Sequence, residues 1–176
     1  MSNELIQDAV GLDVVLGEFA ARAIAQRLDS LVVNGVRGTD GVLGLFQRDD
    51  LTALASATPP SVANVVSAAT ALRAAGYLPT AAIARSNEIA ATKQTLVAAG
   101  APTDAIDGVR LLETDSSDVA NTVIVGDFSW LLLGMRLVEV SLSSTAGFGT
   151  NSTICRLVVR AECAVADLSA FRMLAP

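Results

Sequence analysis

The chain has 176 residues, 52% of them hydrophobic and only 17% charged, with a formal net charge of −6 and no histidine. That length suits one compact domain or two small lobes sharing a core, and the apolar surplus leaves side chains free to face partners. The absence of imidazole removes the commonest general base, the commonest metal ligand and every triad built on histidine, and the eleven arginines and single Lys93 form no basic stripe for nucleic acid.

The chain opens Met-Ser-Asn-Glu, with acidic residues where a secretory signal needs positive charge, so it reads as made in the cytosol. From Glu4 to Val33, Leu5, Ala9, Leu12, Leu16, Phe19 and Ala23 recur at spacings of four and three, and Ile24, Leu28 and Leu31 carry the stripe on. That period predicts a long amphipathic helix, with Glu4, Asp8, Gly11, Glu18, Arg22 and Asp29 on its other faces and Asn34-Gly35 as its stop. Glycines then fall at 35, 38, 41 and 44. They follow a helix and no lysine accompanies them, so they read as turns and not as a phosphate-binding loop.

Pro59-Pro60-Ser61 starts a second predicted helix running through Ala75, with Val62, Val65, Val66, Ala69 and Leu72 inward and Gly76 as its stop. Ala81 to Ala84 reads as a short strand. Ser86 or Asn87 is expected to cap a third helix reaching Ala99, with Ile89, Leu96 and Val97 inward. Val109–Leu112 and Thr122–Val125 read as strands, and Gly126-Asp127 turns the chain into Ser129–Leu133. Between Arg136 and Ser144, Val138, Val140 and Leu142 alternate with Glu139, Ser141 and Ser143. From Thr153 to Val165, Cys155, Leu157, Val159, Ala161, Cys163 and Val165 share one face, and Arg156, Arg160 and Glu162 the other. These two long strands are expected to pair antiparallel.

Candidate chemistry is sparse. Glu113, Asp115 and Asp118 are the densest acidic cluster and could hold a hard cation, but with Ser116 and Ser117 between predicted strands they read as a solvated loop. Cys155 and Cys163 lie about 26 Å apart along one strand, beyond disulfide reach, and read as reduced core residues. Lys93 sits in a polar helical turn and receives no catalytic role. No cofactor, metal or catalytic residue is expected.

The order of elements carries a resemblance. The helix end Leu28-Asp29-Ser30-Leu31-Val32-Val33-Asn34-Gly35 followed by Gly41-Val-Leu-Gly44-Leu, then Val125-Gly126-Asp127-Phe128 leading to Arg136, then Gly147-Phe148-Gly149-Thr150-Asn151 with Arg156, Arg160 and Ala170-Phe171, together resemble Hong Kong 97-type major capsid proteins of tailed phages. The likeness implies an α+β fold with a long spine helix, a peripheral antiparallel sheet and an axial α/β lobe. The peripheral lobe would be residues 1–44 with 126–176, and the axial lobe 45–125. The family's N-terminal arm and extended loop have no counterpart ahead of the helix, so the chain is similar to the family's C-terminal portion.

The resemblance further implies a structural subunit of a phage or prophage capsid that forms pentamers and hexamers and encloses DNA without recognising its sequence. It would be no enzyme, have no membrane partner, be made in the host bacterial cytoplasm and reside in the virion. Glu18, Arg22, Glu139, Arg156 and Arg160, on wet faces, are the candidate subunit contacts. In one branch of the family a lysine and an asparagine crosslink with help from a glutamate. Asn151 falls near that asparagine, but Val158 stands in the glutamate's place and the lysine-bearing loop is missing, so no crosslinking is expected. An encapsulin-like compartment shell is the first rival reading, and a small α/β enzyme or ligand-binding domain the second.

Overall fold

A computed structural model describes residues 12–58, 60–143 and 154–176. Helix α1 spans Leu12–Asn34 and is followed by a one-turn helix at Arg37–Asp40 and a 3-10 turn at Leu45–Gln47. Strand β1 (Thr52–Ala55), helix α2 (Val62–Ala74), strand β2 (Ala81–Arg85), helix α3 (Ser86–Ala98), and strands β3 (Ala105–Ile106), β4 (Val109–Thr114) and β5 (Val123–Gly126) come next. The long strands β6 (Leu131–Ser143) and β7 (Ile154–Val165) follow, and then β8 (Phe171–Ala175). Among the described residues no helix is long and apolar enough to cross a membrane.

Two sheets form. Six strands run in the order β1-β8-β5-β2-β4-β3, and β6 pairs with β7. In the larger sheet β1 and β8 are parallel, as are β2 and β4, while β5 lies antiparallel to both β2 and β8. Strand alternation sorts its side chains into two cores. Ala82, Ala84, Val109, Leu111, Val123, Val125 and Leu174 face α2 and α3, where Val65, Ala68, Ala69, Leu72, Ile89 and Leu96 cover them. Ile124 and Phe171 face the other way and meet Val33, Leu45, Phe46 and Leu51.

Local chemistry explains the helix ends. The Ser61 hydroxyl accepts the Asn64 N–H, and the Asn64 side chain accepts the Ser61 N–H, a reciprocal cap at the predicted start of α2. Gly76 ends the turn after it at φ 89°. Arg73 then reaches the carboxylate and carbonyl of Asp107, which tethers the end of α2 to the β3–β4 turn. Asp107 and Gly108 occupy that turn at φ 51° and 79°, the left-handed pair a two-residue hairpin needs. Gly35 and Gly44 meet backbone to backbone, with the Gly44 N–H donating to the Gly35 carbonyl at 2.8 Å, so a Cβ on either would strike main-chain atoms.

Several expectations need correction. Phe19 is 65% exposed and Ala23 is open, so these two leave the expected stripe of α1, while its continuation Ile24, Leu28 and Leu31 is half-covered together with Ala20. The residues of that helix before Leu12 lie outside the described ones. Val97, expected inward on α3, is 66% exposed, and the buried positions include Glu88 and Thr92. The N-cap of α3 is Arg85, whose N–H the Glu88 carboxylate accepts, and not Ser86 or Asn87. Strands β1 and β3 carried no clear sequence signal.

The chain divides into two compact units. One takes in α1 as far as Asp29, β6 from Leu133 and β7 as far as Glu162; the other takes in Ser30–Leu132 and Cys163–Pro176. This differs from the lobes drawn on the sequence, because β8 is an inner strand of the six-stranded sheet and Val33 packs on that sheet's second face.

Candidate functional site

The five expected contact residues are all exposed: Glu18 and Arg22 on α1, Glu139 on β6, and Arg156 and Arg160 on β7. No ion pair joins any of them among the described residues. Arg160 does share a cleft of about 320 Å³ with Gly134, Met135, Arg136, Ala161 and Glu162. Alternation holds along β7, where Arg156, Arg160 and Glu162 are exposed and Val159, Ala161, Cys163 and Val165 are half-buried. Cys163 is a free thiol, and burial pushes its pKa up despite the nearby Arg48 guanidinium. The Cys155 side chain and Asn151 lie outside what the structure describes.

The acidic cluster disperses. Glu113 pairs with Lys93, Asp115 accepts the Ser86 hydroxyl at 2.6 Å, and Asp118 accepts the Asn34 amide at 2.6 Å. Among the described residues no group of three or more ligand-type side chains is placed to hold a metal. Glu88, only 3% exposed, accepts the N–H groups of Arg85 and Asn121 at 3.0 and 2.5 Å, which fastens the 115–121 loop to the start of α3.

The most organised polar geometry is a paired bend that sequence reasoning missed. β5 and β8 are antiparallel, with Gly126 opposite Phe171. Beyond them each strand turns through a short 3-10 segment, Phe128–Trp130 in one and Leu168–Ala170 in the other. The two bends exchange backbone bonds: the Asp127 N–H donates to Ala170, and the Ala166 N–H to Trp130, at 3.0 and 2.9 Å. With Ala166 beside Trp130 and Glu162 beside Gly134, one index falls as the other rises, so β6 and β7 run antiparallel as expected.

Both bends open on Asp-x-Ser. Asp127 accepts from the Ser129 N–H and hydroxyl at 3.1 and 2.6 Å, and Asp167 from the Ser169 N–H at 2.8 Å. The loop after α2 fastens to both. The Tyr77 hydroxyl donates to Asp167 at 2.6 Å, the Leu78 N–H to Asp127 at 3.3 Å, and the Phe128 N–H to the Thr80 hydroxyl at 3.1 Å. Aromatic edges complete the packing: Tyr77 meets Trp130 at 6.2 Å and Phe128 meets Phe171 at 5.3 Å, both near-perpendicular. A Cβ on Gly126 would overlap the Phe171 ring, so glycine is required there.

Burial alone would raise the Asp127 carboxyl, but the bonds from Ser129 and Leu78 outweigh it and hold the pKa below the usual value. The Tyr77 hydrogen bond does the same for Asp167, and Asp167 in return raises the phenol. The repeated Asp-x-Ser ahead of two apolar strands was the signal available for these turns.

The sequence profile of the phage capsid family matches residues 1–175. The chain belongs to the phage capsid family. No curated protein matches it. Among solved structures, this phage capsid family member is similar to the capsid of an empty GTA particle, at 18% identity and a TM-score of 0.73, covering 99% of this chain and 70% of that one. It also resembles a structure from Microbacterium phage Oxtober96, at 17% identity and a TM-score of 0.69, covering 100% and 69%. The holo-SrpI encapsulin complex from Synechococcus elongatus PCC 7942 is a further likeness, at 16% identity and a TM-score of 0.62, covering 90% and 63%. These likenesses show the Hong Kong 97-type α+β capsid fold that the sequence resembled. The capsid-family chain spans about two thirds of their length, and its role is that of a structural capsid subunit.

Proposed function

We propose that this capsid-family chain is a self-assembling shell subunit of a phage or prophage, forming pentamers and hexamers that enclose DNA, and that it works through contacts and catalyses no reaction. The observation that carries the reading is the family match over residues 1–175. A closed shell needs heterologous lateral contacts that return on themselves, so function lies in surfaces spread over the subunit. In this reading an axial lobe centred on residues 45–125 faces the ring axis, and a peripheral lobe holds the long helix and the β6–β7 ribbon.

The exposed Glu18, Arg22, Glu139, Arg156 and Arg160 are rim contacts that tune partner choice more than affinity. With a net charge of −6 the chain binds no specific DNA sequence, and packaged DNA is held by confinement. The protein is made in the host bacterial cytoplasm, engages no membrane and ends in the virion. Electron microscopy of the purified chain tests the reading: rings or shells built of this chain alone are expected, and a monomer at every concentration rejects it. The encapsulin likeness supports a second reading, a compartment shell, which co-purification of one stoichiometric cargo protein inside the particle would favour.

A further inference from the structure

We propose that Leu78, Trp130 and Leu132 form a preorganised apolar anchor through which one copy of this chain grips a second copy; the inference rests on the shell reading and names a surface which that reading leaves open. The three side chains are 74%, 41% and 54% exposed. They lie within the unit that holds the six-stranded sheet. Leu78 follows Tyr77, whose ring meets Trp130, its own N–H is held by Asp127, and Trp130, the last residue of its 3-10 turn, stands two residues before Leu132, so the three residues gather at one bend.

A single exposed leucine is ordinary in any soluble protein. These differ because the backbone beneath them is fixed. The Leu78 N–H is held by the Asp127 carboxylate, itself only 7% exposed, and the Tyr77 hydroxyl by Asp167. Trp130 closes the same bend, its N–H donating to the Asp127 carbonyl and its carbonyl accepting from Ala166. An apolar group that is held still before contact loses little freedom on binding, and that is how a few residues come to dominate an interface.

Area and charge select the occupant. With the roughly 150–250 Å² that an aromatic side chain buries as a ceiling for each of the three, the exposed fractions leave at most about 250–400 Å² of apolar surface here. That is as much as the largest patch on many monomers, and about a third to a half of the roughly 800 Å² each partner contributes to a stable interface. The patch therefore fits the centre of a protein contact, with exposed Thr80, Ser129 and Ser169 as its polar rim. Copies of a chain with net charge −6 repel one another at long range, and they approach most easily through a surface whose three large residues carry no charge.

The test compares the full chain with Leu78→Asp, Leu132→Asp and the milder Leu78→Ser, using Val97→Asp as a control at an equally open apolar position on α3. Sedimentation velocity and particle imaging follow assembly across a concentration series, and circular dichroism melts check the fold. The wild type and Val97→Asp are expected to assemble alike. The three anchor variants should keep the wild-type melt and need about tenfold or more protein to assemble. Anchor variants that assemble like the wild type overturn the anchor and leave the shell reading standing. Equal loss in Val97→Asp overturns it as well, since charge alone would then be the cause. A wild type that stays monomeric throughout overturns both.

Discussion

The six-stranded sheet and the β6–β7 ribbon are built from the same alternation of apolar and polar residues, yet they bury them differently. In the sheet, Val123, Ile124 and Val125 are 3%, 0% and 0% exposed because each face has its own cover. In the ribbon, Leu133 and Met135 are 50% and 61% exposed, and Leu132 on the opposite side is 54% exposed. A two-stranded ribbon alone is at best marginally stable in water. The contrast teaches that periodicity reports which face is apolar, while what covers that face is decided elsewhere.

Four experiments on the purified chain bear on that contrast. Phe171, fully buried between Gly126 and Phe128, should show the largest effect: Phe171→Ala is expected to lose about 3–5 kcal/mol in denaturant unfolding. A loss below about 1 kcal/mol would mean that the sheet's second face is not the closed core described. Next comes Asp127→Ala, which strands the N–H groups of Ser129 and Leu78 and should cost about 1–3 kcal/mol at neutral pH.

The acid branch carries the sign of the same interaction. Asp127 and Asp167 both have pKa values lowered by folding, so their contribution is complete above the ordinary carboxylate value of about 3.9 and disappears as pH falls through the folded values. Asp127→Ala should therefore show a shallower loss of stability below pH ~4 than the wild type. Tyr77→Phe should act more weakly. The phenol is raised by folding, so its contribution holds below the ordinary value of about 10 and is lost at higher pH. A variant lacking the hydroxyl should thus be flatter at both ends of a stability-against-pH curve, and unchanged curvature at both would remove the Tyr77–Asp167 bond from the account. The smallest effect is expected in the ribbon: Met135→Ser should shift unfolding by no more than about 0.5 kcal/mol.

How much of this was legible follows from the kind of signal each element carried. The Pro60-Ser61 start of α2, its buried Val65, Ala69 and Leu72 and its Gly76 stop were readable because propensity, capping and period agree there. β2, β5 and the pairing of β6 with β7 were readable for the same reason. On α1, Ile24, Leu28 and Leu31 were placed rightly and Phe19 and Ala23 were not, because Phe19–Ala23 and Ala20–Ile24 are both apolar rows at helical spacing and only tertiary contact chooses between them. Val97 was taken as buried for its side chain alone, whereas Glu88 and Thr92 occupy the sheltered face through hydrogen bonds that no hydropathy pattern encodes. The paired bend escaped notice because its partners, Tyr77, Asp127 and Asp167, are up to 90 residues apart and meet only when the sheet forms.

The place of β8 in the sheet has a consequence for folding. Last in sequence among the described strands, it lies second in the sheet, between β1 and β5, with Arg172 opposite Thr52, 120 residues earlier. Until it docks, β1 has no strand neighbour among the described residues and β5 keeps an open edge, so the sheet holds a gap where the folded unit is continuous. Closing so long a loop is slow. A chain in which β8 has not yet docked therefore carries two unpaired strand edges side by side, each able to take up a foreign strand.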